Sequence, residues 1–303
     1  MSEPTLVEAG RGDSRTRRRP HPGKGRDGTR ILSPPFSDVL CAVNGSRDST
    51  EAVRQAIALG GPSAELGFVA ISHQAGVGLS AQADLGEQRA RLALEEAAWH
   101  ARQAGIDAST ELRHGARASE QLLTQSADHD LLAIGSHGGS RLGGMMLGST
   151  ATQIAHQTQV PLLIARRGAG EDDFPREILL ASDGSPGSWA AARTATRLAL
   201  ARGSELRILF VPDGHPERYR ELFKQVTAIE RLTGVAPAFA DLPGDPAARI
   251  VETARSRRSS LIVVGKRGLR GIKALGSVSE RVVHRAPCSV LVVPPAPALA
   301  ALD

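Results

Sequence analysis

Leu131-Leu132-Ala133-Ile134-Gly135-Ser136-His137-Gly138, followed after nine residues by Gly148-Ser149-Thr150, decides how this chain folds. A second copy reads Leu261-Ile262-Val263-Val264-Gly265-Lys266-Arg267-Gly268, with seven residues before Gly276-Ser277-Val278. In each, a short apolar run ends in glycine, and a Gly-rich loop leads into a helix-like stretch, a proline and another apolar run. A strand that opens through glycines into a helix builds an anion site. Glycine lets backbone approach a phosphate closely, and the free N–H groups of the helix start point toward it. Two such units predict two phosphate-binding modules in one polypeptide.

The repetition extends outward from these loops. Val39-Leu40-Cys41-Ala42-Val43-Asn44-Gly45-Ser46 matches Ile178-Leu179-Leu180-Ala181-Ser182-Asp183-Gly184-Ser185 at an offset of 139 residues, whereas the glycine loops are offset by 130. The second half is therefore shorter, and the loss falls after its second strand. Apolar periodicity predicts strands near 38–43, 66–71, 107–113, 131–134 and 161–165, with helices near 48–60, 80–104, 117–127 and 149–156. In the long second helix the expected apolar positions are Leu85, Leu92, Leu94, Ala98 and Trp99. The second half repeats the order, with strands near 177–182, 205–211, 235–240, 261–264 and 289–293.

Such alternation implies α/β architecture: two tandem doubly wound domains, each a mainly parallel five-stranded sheet in the order 3-2-1-4-5. Ligands of such sheets sit beyond the carboxyl ends of the strands where the order reverses, here between strands one and four. The expected organisation is a basic tail of disordered composition over 1–35, a first domain over 36–167, a linker over 168–175, a second domain over 176–295 and a short tail over 296–303. The stretch 166–176 is polar and Gly-rich, as a linker requires. The apolar fifth strands (Leu162-Leu163-Ile164 and Val290-Leu291-Val292) are expected at sheet edges.

At 303 residues the chain can bury two cores. Its net charge of +5 comes almost entirely from residues 1–30, which hold eight Lys/Arg against four Asp/Glu. Nucleic acid is therefore not the expected partner of the folded part, and Arg17-Arg18-Arg19 reads as a solvated run. No apolar stretch reaches the roughly twenty residues of a membrane span, and the N-terminus lacks the order of a secretory signal. Cys41 and Cys288 lie far apart in apolar surroundings, as buried thiols do. A cytoplasmic protein without a membrane partner is the expectation. P-loop, dinucleotide and serine-hydrolase motifs are missing, as is any metal-ligand spacing. The residues name no catalytic group and no metal site.

In these paired motifs the chain resembles the universal stress protein family, over about residues 36–167 and 176–295. The resemblance rests on strand starts ending in Asn44-Gly45-Ser46 and Asp183-Gly184-Ser185, both glycine loops, Gly276-Ser277-Val278-Ser279-Glu280-Arg281-Val282, and Ala286-Pro287-Cys288 before the last strand. It implies the adenine nucleotide alpha hydrolase-like (HUP) fold and an adenine nucleotide as cofactor: ATP, or ADP or AMP, with or without Mg²⁺. By the family pattern Ala42 and Asn44 would meet the nucleoside in the first half, and Asp183 in the second. Ile71 and Val211 would meet adenine. Gly135, Ser136 and Gly138 would lie against ribose and phosphate, with Arg141 within reach, and Gly148, Ser149 and Thr150 would hold phosphates. Gly265, Gly268, Gly276, Ser277 and Val278 match them in the second half. The resemblance also implies that the fifth strands meet, joining the domains face to face as a pseudo-dimer. Two chains could pair further through helical faces.

Each half departs from the pattern once. Asn44 replaces the family's aspartate, which keeps an acceptor and loses the charge. The second loop is two residues short, which Lys266, Arg267 and Arg270 could offset. The first half is the better phosphate site on this reading. His137 is a phosphate donor, a general acid or an ordinary loop histidine. Ser149 and Ser277 are phosphate ligands or helix N-caps. Asp183 is a nucleoside ligand or an Asx-turn residue. Three functions stay open: a nucleotide-binding stress regulator, a slow ATPase or nucleotidyl-transferring enzyme, and an interaction module that has lost the nucleotide.

Overall fold

Leucine, isoleucine and valine fill the strands, and their alternation sends successive side chains to two opposite helix layers. The computed structural model describes residues 35–72, 80–137, 147–167, 173–212, 214–266 and 275–295. The expected tails and most of the expected linker lie outside these residues. The first half runs β1 (Asp38–Ala42), α1 (Arg47–Gly60), β2 (Glu65–Ser72), α2 (Ser80–Gln103), β3 (Ala108–His114), α3 (Ala118–Ser126), β4 (Leu131–Gly135), α4 (Ser149–Gln157) and β5 (Leu162–Ala165). The second runs β6 (Glu177–Ala181), α5 (Pro186–Arg202), β7 (Glu205–Phe210), α6 (Pro216–Thr233), β8 (Ala238–Asp241), α7 (Pro246–Arg257), β9 (Leu261–Gly265), α8 (Ser277–Arg285) and β10 (Ser289–Val293).

Both halves have the expected strand order, all parallel within the half. The expectation of two separate sheets is corrected. β5 and β10 pair antiparallel, Leu163 opposite Leu291, and fuse the halves into one ten-stranded sheet. The fifth strands thus meet edge to edge, not face to face. The physical reason is that an apolar strand edge buries its unpaired amides best against another strand. Val39, Cys41, Leu163 and Leu291 face a layer formed by α1, α2, α5 and α6. Leu40, Leu162, Ile164, Val290 and Val292 face the layer of α3, α4, α7 and α8. Both layers run across the junction, so the halves share their core. Cys41 and Cys288 are buried thiols, and burial pushes Cys288 up to about 12.

The second helix corrects another expectation. α2 buries Ala90, Ala93, Leu94, Ala97 and Ala101, whereas Leu85, Leu92 and Trp99 are exposed. Small side chains let the helix lie close to β2 and β3, and the bulky ones are turned outward.

Two buried cations lock the junction from opposite sides. Arg166, which follows β5 and was read with the polar linker, donates from its guanidinium to Val283 O at 2.7 Å and to Ala286 O, at the carboxyl end of α8. Lys266, which follows β9, donates from Nζ to Thr158 O at the end of α4. Each half therefore caps a helix of the other with positive charge, where the helix dipole favours it. Desolvation draws the Arg166 pKa below its ordinary value. Arg166→Leu should orphan two buried carbonyls and cost about 2–3 kcal/mol in urea unfolding. An unchanged midpoint would show that water replaces the guanidinium.

Candidate functional site

The carboxyl ends of β1, β2 and β4 converge where the sheet order reverses, because Ala42 pairs with Val69 and Cys41 with Ala133. Ala42 and Ile71 are half-buried on the α3/α4 side of the sheet. Asn44 Oδ1 accepts from Ser46 N–H at 3.0 Å and forms an Asx turn. Ser46 then caps α1, its hydroxyl accepting from Ser49 N–H at 3.1 Å. Gly45, between them, takes a φ of 72°, which favours glycine.

β4 ends at Gly135, and that glycine has a packing role the sequence reading missed. A Cβ there would stand 2.8 Å from Asp48 C and 2.9 Å from both Asp48 O and Ser49 N. Gly135 therefore lets the first turn of α1 press on the strand end. Asp48 itself was absent from the expected site. Its Oδ2 accepts from the Ser136 hydroxyl at 2.6 Å and lies 3.1 Å from His137 Nδ1, which is 2.9 Å from Ser136 Oγ. A carboxylate two residues after the N-cap serine was the available signal. Ser136 is buried and His137 half-buried, with Nε2 buried and without a hydrogen-bond partner among the described residues. His137 is thus tied to α1 rather than standing as a simple loop side chain.

The loop returns at Gly148, whose N–H donates to Ser136 O at 3.0 Å. This bond sets the start of α4 beside the end of β4. The N-cap of α4 is Gly148, with no side-chain cap, and Ser149 is the first helical residue. The same holds at α8 for Gly276 and Ser277. The N-cap expectation for the two serines is corrected, since a glycine with extended backbone already occupies the cap. Among the described residues, both helix starts therefore lack a side-chain acceptor for their first N–H groups. Ser149 and Thr150 are exposed there. Gly138 and Arg141 lie outside the described residues.

The second half repeats the frame with different chemistry. Asp183 Oδ1 accepts from Ser185 N–H at 3.0 Å, so it is an Asx-turn residue. Val211 and Val278 are half-buried on the α7/α8 side, and Ser277 is exposed. Gly276 N–H donates to Lys266 O at 2.8 Å and closes the loop base after Gly265. Lys266 does not supply phosphate-directed charge: its side chain is buried toward α4. Gly268, Arg267 and Arg270 lie outside the described residues. Where the first half has Asp48, Ser136 and His137, the repeat places Gly187, Lys266 and Arg267.

A cavity of about 690 Å³ lies toward the other end of α1, lined by Arg54, Gln55, His100, Phe174 and Arg202 among others. It is separate from the strand ends described above. Among the described residues no group of three or more His, Cys, Asp or Glu could hold a metal ion, and no helix is long and apolar enough to cross a membrane.

The family model described as the universal stress protein family matches this chain twice, over residues 35–166 and 175–294. A universal stress protein of Mycolicibacterium smegmatis is 30% identical over 253 residues, spanning 75% of this chain and 84% of its own. One from Thermus aquaticus is 36% identical over 134 residues, 39% of this chain and 98% of its own. Among solved structures, a universal stress protein from Archaeoglobus fulgidus has the same fold, with a TM-score of 0.70 at 22% identity over 86% of this chain and 99% of that one.

Proposed function

This chain belongs to the universal stress protein family, and from that premise we propose that its first half binds an adenine nucleotide whose occupancy controls the conformation or assembly of the molecule. The observation that carries this reading is the uncapped start of α4, drawn by the Gly148–Ser136 hydrogen bond to the switch point between β1 and β4. A helix start with free N–H groups at that place fits a phosphate chain. Ala42 and Ile71 would flank the base, Asn44 the sugar, and Gly148, Ser149 and Thr150 the phosphates. The second half is the weaker site, because Lys266 is committed to α4 and cannot compensate for the shorter loop. A stress-responsive role in the cytoplasm accompanies this proposal.

Gly148→Val tests it. Gly148 has φ −63° and ψ 154°, a backbone that any residue adopts, so the variant should fold as the parent does. Its side chain would stand at the helix start and block phosphate. Calorimetry with ATP should show the tighter of two unequal sites lost, with affinity reduced at least roughly a hundredfold. Equal ATP affinity in parent and variant would overturn the assignment. Phosphate release by the parent with Mg²⁺ would favour the enzymatic reading instead.

A further inference from the structure

α2 presents an apolar stripe that nucleotide binding does not use. Leu85, Leu92 and Trp99 are 54%, 63% and 51% exposed. They recur every seven residues, so at 3.6 residues per turn they stay within about 40° of one another along about 21 Å of helix. The stripe lies opposite the face that buries Ala90, Leu94, Ala97 and Ala101. A seven-residue spacing keeps these three side chains on one line along the helix, where a second helix can lie against them.

We infer that a second copy of this chain covers the stripe, with α2 packing antiparallel on the partner's α2 across a two-fold axis at Leu92. A two-fold interface must be complementary to itself. With Leu92 on the axis, Leu85 meets the partner's Trp99, and Trp99 meets the partner's Leu85. The flanking charges fit the same axis. On one side of the stripe Arg89 faces the partner's Glu96. On the other, Asp84 falls beside the partner's Arg102, and Arg91 beside the partner's Glu95. All these residues are exposed. Each pair joins opposite charges, and the axis repeats it. Glu96 uses Oε1 toward Thr50 and His100, which leaves Oε2 for the partner. Arg91, now 2.6 Å from Glu87, can reach outward without uncovering a buried group. The parallel alternative would set Glu96 against the partner's Glu95, a like-charge contact. Electrostatic complementarity therefore selects both the occupant and its direction.

One helix pair buries less than the roughly 800 Å² per partner of a standard interface, so association in the micromolar range is expected. Sedimentation equilibrium of the full chain, from about 1 to 200 μM, should show the mass rise from 31.8 kDa toward twice that value. Leu92→Glu places two carboxylates on the axis and should weaken pairing at least roughly tenfold. Arg89→Glu should weaken it, and Arg89→Glu combined with Glu96→Arg should restore it. Leu92→Cys should cross-link to itself on mild oxidation, because both native cysteines are buried. Asp84→Cys should not, being far from the axis. Every altered position is exposed, and an unchanged circular dichroism spectrum verifies folding. A parent that stays monomeric throughout, a dimer that survives Leu92→Glu, or a charge swap that fails to restore pairing would overturn the inference. The pairing test is read by mass without nucleotide and the Gly148→Val test by calorimetry of ATP binding, so this test and the nucleotide test fail separately.

Discussion

Leu291→Lys is expected to destabilise the whole molecule by about 4–5 kcal/mol, the largest effect of any single change considered. Leu291 is fully buried and stands opposite Leu163 in the β5–β10 ladder. Its side chain packs in the layer shared by α1 and α5. An ammonium there has no carboxylate in register with it. Its desolvation cannot be offset unless the strands part and admit water, which opens the joint between the halves. Against a total of about 5–15 kcal/mol for a folded protein, such a loss leaves little margin. Urea unfolding should show a lower midpoint, and native-state hydrogen exchange should show β5 and β10 losing protection together. Val235→Lys, at a position 68% exposed, is the control and should stay within about 0.5 kcal/mol of the parent. A Leu291→Lys midpoint equal to that of the control would place the joint elsewhere.

Gly135→Ala should cost about 2–3 kcal/mol, from one added methyl group. The new carbon would meet backbone of Asp48 and Ser49 at 2.8–2.9 Å. Backbone in the first turn of a helix cannot swing aside as a flexible side chain does. α1 must therefore move off the end of β4, and the 2.6 Å bond from Ser136 to Asp48 lengthens or breaks. The expected result is a lower urea midpoint together with faster amide exchange in the first turn of α1. ATP affinity should fall as well, since Ser136, whose carbonyl holds the Gly148 N–H at the start of α4, shifts with the end of β4. Gly148→Val should show a different profile, with binding lost and the stability lowered only by the poorer N-cap, about 1 kcal/mol or less. Should Gly135→Ala match the parent in both respects, the close approach of α1 to β4 has no energetic weight.

Strand order and the place of the candidate site in the fold were legible in the sequence because they rest on local patterns. Apolar runs of strand length alternated with helical periods, and right-handed crossovers leave few ways to arrange five parallel strands. An Asx turn was one of two readings of Asp183 before Gly-Ser for the same reason, a short polar side chain bonding its own backbone two residues on, and the structure adds the same turn at Asn44. The glycine loops marked the switch point in both halves. Residues identical in type nevertheless proved different in use. Gly135 and Gly148 looked alike as phosphate-approach glycines, yet one is required by the helix pressed against it and the other opens a helix.

What the sequence by itself determined is therefore the repeat, the order of elements in each half and the end of the sheet at which the strand–glycine turns lie. Only the tertiary structure decided that β5 and β10 close one continuous sheet, that Arg166 and Lys266 cap helices of the opposite half, and that α2 turns Leu85, Leu92 and Trp99 outward. The reason is physical. Periodicity reports that a helix has an apolar face, but α2 has two: one of alanines and one of large side chains. Which one is buried depends on how closely the helix must approach the sheet, and alanine permits the closer approach. Likewise, the charge of Lys266 is written in the sequence, whereas its partner, the carboxyl end of α4, comes within reach only when the two halves pair.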